Sequence, residues 1–178
     1  MSLNQDAPPP PAQAEDIIKF DPFPKSDSYV LTVTAFNYIP EYEFEREDEK
    51  TKEKYIKKAP AIELFLGTMI DGKTYFAKTW PQQYSLSDRA NYYKQYSAAC
   101  GKAPDKSSNV KDTLGKFVLC EIAVENKTSK KGKAYTVSKV KTVGKVPSIL
   151  AATGTDIKAL RPALDAILAG EKKDENPY

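Results

Sequence analysis

Four side chains on one short stretch could do binding chemistry: Phe65, Phe76, Lys78 and Trp80. Asp71-Gly72 is a two-residue turn that tolerates positive φ angles. It predicts a hairpin with Met69 opposite Thr74, Gly67 opposite Phe76, and Phe65 opposite Lys78. Alternation then puts Ile62, Leu64, Leu66, Tyr75 and Ala77 on a core face. Phe65, Phe76, Lys78 and Trp80 share the other face. Aromatic rings on a strand can stack on nucleobases of any sequence, because every base has a π-face. The competing expectation is ordinary packing, with these rings buried beneath the N-terminal arm or a C-terminal helix.

A second constellation is basic. The run from Lys116 to Pro147 holds two strand-like segments around a turn with Lys130, Lys131, Gly132 and Lys133. The second segment adds Tyr135, Lys139 and Lys141. Such a hairpin can neutralise phosphates. Alternatively, its lysines only keep edge strands from pairing with other chains. Tyr84 and Arg89, close after Trp80, would extend the stacking and phosphate-binding surface. The tyrosines at 92, 93 and 96 read first as amphipathic residues capping the core.

The rest of the composition narrows the chemistry. The chain has 178 residues and a net charge of +3, and it contains no histidine. It therefore lacks the commonest general base and metal ligand. Residues 59–143 hold 14 Lys/Arg against 7 Asp/Glu, so the centre is basic. Cys100 and Cys120 form no CxxC pattern and read as buried thiols in a reducing compartment. The acidic run from Glu41 to Glu49 is followed at once by interleaved lysines and reads as a solvated loop or a strand extension. No phosphate loop, nucleophile elbow or zinc motif is present, and nothing calls for a cofactor. An enzyme, for instance a metal-dependent nuclease, would have to use Glu63, Glu121 and Glu125. No apolar run reaches the length of a membrane span, and no signal peptide is visible, so a cytoplasmic protein is expected.

These residues need elements to hold them. Residues 1–28 read as an extended, Pro-rich arm, with Phe20 and Phe23 able to dock back. Tyr29 to Ile39 is a strand with Leu31, Val33 and Ala35 on one face, and Thr32, Thr34, Phe36 and Tyr38 on the other. Ala61–Met69 and Thr74–Trp80 are the next two strands. Ser85 to Cys100 reads as a helix with Ser87 as N-cap and Gly101 as its stop. Lys116–Glu125 and Ala134–Val143 are the last strands. Asp156 to Ala169 has a helical stripe of Ile157, Leu160, Leu164, Ile167 and Leu168, with Pro162 able to kink or divide it. Three strands, a helix and two strands predict a mainly β (α+β) domain over residues 29–147. Its expected form is a five-stranded OB-fold Greek-key barrel, followed by a helical segment at 148–170 and a free tail at 171–178.

The segment GKFVLCEIAVENKTSKKGKAYTVSKVKTVGKVP, with the strand order around it, resembles single-stranded DNA-binding proteins of tailed bacteriophages. The resemblance implies binding of unpaired DNA in phage replication or recombination, without catalysis, in the host cytoplasm. It also implies that an acidic tail closed by an aromatic residue, here Asp174, Glu175 and Tyr178, recruits replication proteins. A different expectation is a phage structural or interaction module that uses the same aromatic face against protein.

Overall fold

The structure, a computed structural model, describes residues 20–174, with side chains through Ala169. The proline row and the tail residues Glu175 and Tyr178 lie outside the described residues, as does the side chain of Asp174.

The chain is mainly β. Strands β1 (Asp27–Glu47), β2 (Lys54–Ile70) and β3 (Lys73–Lys78) are followed by the two-residue β4 (Gln82–Gln83), helix α1 (Asn91–Cys100), β5 (Phe117–Thr128), β6 (Ala134–Gly144) and helix α2 (Ile157–Asp174). The five longer strands form one antiparallel sheet in the order β3-β2-β1-β5-β6, with β4 paired to β2. The ends of this order, β3 and β6, approach each other, so the sheet curls into a nearly closed barrel.

The β2–β3 hairpin has the register its turn demands. Met69 faces Thr74, Gly67 faces Phe76, and Phe65 faces Lys78. Asp71 and Gly72 take φ values of 51° and 79°, as a primed turn requires. Leu31, Val33, Ile62, Leu64, Leu66, Ala77, Val118, Cys120 and Ile122 fill the barrel interior. Burial alone pushes the Cys120 thiol up to about 12, so it stays protonated and behaves as a small apolar group.

β1 departs from simple alternation. Its pairing with β2 slips by one residue between Val33 and Ala35. Val33 instead exchanges backbone bonds with Lys116 and Gly115. The bulge flips the following residues. Ala35 leaves the face of Leu31 and Val33, while Phe36 packs against the main core. The charged run is a strand extension: β1 and β2 continue together as a ribbon to a turn at residues 48–53.

Helix α1 starts at Asn91, later than its N-cap pattern suggests. The Ser87 hydroxyl accepts from the Arg89 amide in a turn before the helix, and the true N-cap, Ala90, has no side-chain bond. Gly101 ends the helix at φ 72° with its amide on the Ser97 carbonyl.

Residues 20–26 pack onto the barrel. Phe23 is 2 % exposed and joins the interior, with its ring against Tyr29 and Tyr75. Its amide donates to the Ser138 hydroxyl of β6 at 2.7 Å. Phe20 packs outside the barrel against Phe65 and Phe76.

Gly67 is fixed by this second layer. A Cβ there would stand 2.6 Å from the Phe76 ring. Gly67→Ala is expected to cost about 1–3 kcal/mol through overpacking, read as a lower urea midpoint at unchanged slope.

Candidate nucleic-acid interface

The outer sheet surface has two parts. Over the lower part, Phe65 and Phe76 pack with Ala35 against Leu160 and Leu164 of α2. Both leucines are fully buried, and Phe65 and Phe76 are 6 % and 2 % exposed. The stripe read from the sequence is the face that α2 lays on the sheet, and Pro162 lies inside a continuous helix. Phe65 and Phe76 therefore belong to a second hydrophobic layer. They are not available as stacking platforms, because the C-terminal helix takes the place a base would need.

The upper part is polar. Lys78 Nζ lies 3.0 Å from Glu63 Oε2, and Asn37 Nδ2 donates to Glu63 Oε1 at 3.2 Å. The Glu63 side chain is only 8 % exposed. Lys78 thus serves first as the counter-charge of a buried carboxylate. Farther along the same face lie Tyr42 and Phe44, stacked edge-on at 4.8 Å and buried. Burial and then Glu63 raise the Tyr42 phenol, which stays neutral.

Trp80 links this surface to β6. Its half-buried ring lies under Lys139, with Nζ 5.7 Å from the ring centre. Lys139 points outward because its pair partner, Ala123, alternates with the inward Ile122 and Val124. By the same alternation Tyr135, Val137, Lys139 and Lys141 share one side of β6. Tyr135 is 45 % exposed and sits opposite Lys127. Lys141 is exposed and pairs with Glu125 at 3.6 Å. At the hairpin tip, Gly132 adopts φ 80°, and the Ser129 hydroxyl accepts from the Lys133 amide. That turn leaves Lys130, Lys131 and Lys133 exposed.

The structure therefore sets Trp80 against Lys139 and places Tyr135 and Lys141 on the same side of β6, with the three tip lysines at the end of that hairpin. Tyr84 packs edge-on against Tyr38 and at 4.8 Å against the buried Tyr92. Arg89 is exposed in the turn before α1. Neither has a contact that connects it to the Trp80–Lys139 pair.

Sequence reading missed two aromatics. Tyr55, 51 % exposed, pairs with Arg46 on the ribbon, and Tyr38 is 49 % exposed beside Tyr84. For Tyr55 the alternation in KYIKK was the available signal, masked by the surrounding charge; the sequence puts Tyr38 on a strand face but does not single it out as a binding residue. Among the described residues no helix is long and apolar enough to cross a membrane. No protein-family model matches this chain, and no curated protein matches it.

Proposed function

We propose that the chain binds single-stranded DNA without sequence preference, on an OB-type barrel, in phage replication or recombination. The observation that carries this reading is the Trp80–Lys139 pair at the junction of β3 and β6. It sets a stacking ring beside a cation, next to a hairpin tipped with exposed lysines. A flexible single strand can lay bases on Trp80 and Tyr135 while its phosphates follow Lys130, Lys131, Lys133, Lys139 and Lys141. Duplex DNA hides its base faces in the stack and gains only the phosphate contacts. A sheet that nearly closes with hairpins projecting from it suits the OB assignment.

Trp80 is the only tryptophan in the chain, so its fluorescence reports directly on the site. Titration with oligo-dT is expected to quench it, and duplex of equal length should bind more weakly. Equal affinity for the two would overturn the single-strand reading.

A further inference from the structure

Beyond the barrel, β1 and β2 continue as a ribbon of two strands, with Glu43 opposite Lys58 and Glu47 opposite Lys54. β5 pairs with β1 only through Thr32. On the other side, β4 pairs with β2 at Ala61 and Ile62, and the last bond runs from the Tyr84 amide to the Pro60 carbonyl. Hence, among the described residues, no strand pairs with the outer edge of β1 over residues 43–47 or of β2 over residues 54–58. Unpaired strand edges are templates for another chain, and charge normally blocks them.

Here the charge is split by strand. The β1 side carries Glu41, Glu43, Glu45 and Glu47 against Arg46. The β2 side carries Lys54, Lys57 and Lys58 with no acid. Two β1 edges would repel, and so would two β2 edges. A β1 edge and a β2 edge attract, and they can repeat between copies what the ribbon already does within one. That internal pattern includes Lys54 Nζ at 3.3 Å from Glu45 Oε1.

We infer that the ribbon is a head-to-tail self-association surface. The basic β2 edge of one copy adds antiparallel beside the acidic β1 edge of the next, in the register of the internal ladder. Such a contact uses two different surfaces of the chain, so it propagates as an open row instead of closing as a dimer. Main-chain bonds supply the attraction and the charge columns fix the orientation. The opposite face of the ribbon carries Arg46, Tyr55 and Lys57, with Phe44 buried beneath Arg46, so it stays basic along the row with Tyr55 as its exposed ring. A row with that face on one side would follow a single strand, and copies held side by side there would associate at high effective concentration. The association itself does not require the nucleic-acid reading.

The test therefore uses the full chain without DNA. In sedimentation velocity at low salt, the average sedimentation coefficient is expected to climb with concentration without a plateau, and to fall back at high salt. A monomer at every concentration overturns the inference, as does a closed dimer. Orientation is read by cross-linking in a Cys100→Ser background. A copy with Glu43→Cys is mixed with a copy carrying Lys58→Cys. Mixed disulfide species should exceed either same-variant species several-fold. Equal or dominant same-variant species overturn the head-to-tail arrangement. The double-cysteine chain is avoided because Glu43 and Lys58 are also partners within one copy.

Discussion

Trp80→Ala is expected to weaken oligo-dT binding by roughly 5- to 150-fold, the ~1–3 kcal/mol that a base–aromatic stack contributes. The ring sits at the meeting of β3 and β6 and is only half-buried, which leaves it accessible for a base to displace solvent. Lys139, with Nζ 5.7 Å from the ring centre, supplies a cation beside the stack for a phosphate of the same strand. Removing the ring deletes the stack and leaves that cation in place. Trp80→Phe keeps a π-face and should recover most of the affinity. The measurement is anisotropy of a labelled oligonucleotide, since these variants lose the intrinsic fluorophore. Wild-type affinity in Trp80→Ala would remove Trp80 from the site.

Phe76→Ala should act on the other quantity. Its ring is 2 % exposed and packed with Phe20, Phe65 and the buried leucines of α2. Truncating it removes apolar contact and leaves a cavity between sheet and helix. The expected cost is about 3–5 kcal/mol of stability, seen as a lower chemical-denaturation midpoint. Affinity for oligo-dT, measured where the variant is still folded, should be unchanged. A variant that keeps its stability but loses affinity would mean that α2 leaves this face and that the ring meets DNA. The pair of substitutions thus separates the two roles that four aligned side chains on β2 and β3 suggested together.

The reason those roles could be confused is physical. Strand alternation assigns a residue to a face, but it does not say what covers that face. Asp71-Gly72 set the register of Phe65, Phe76 and Lys78 correctly because a two-residue turn leaves no slack. The apolar stripe of α2 was equally plain in the sequence. What joined the stripe to the rings was tertiary packing between residues about ninety positions apart. Sequence spacing does not encode such a pairing. The bulge at Thr34 was hidden for a different reason. It depends on Lys116 and Gly115 drawing the Val33 backbone aside, and no local residue type announces it. The ribbon was obscured by its charge, since cross-strand Glu–Lys pairing looks the same in sequence as a solvated loop. At the site, the lysine hairpin was legible as turn chemistry plus alternation. The Trp80–Lys139 contact was not, because it crosses the one gap in the ladder where no register connects the strands.

The buried Glu63 has a consequence for how ions report on binding. A lysine adds to counterion release only if its charge is uncompensated before the polyanion arrives. Lys78 is held at 3.0 Å by Glu63, and Lys141 shares Glu125 at 3.6 Å. Lys130, Lys131, Lys133 and Lys139 then carry the hairpin's salt dependence. At about 0.7 log units of affinity per log unit of salt for each single-strand phosphate contact, they account for a slope of about 3. A neutralised Glu63→Gln chain frees Lys78, and its slope should steepen by about 0.7. Glu63 therefore holds back one cation and leaves the middle of the sheet face less attractive to phosphate than its flank.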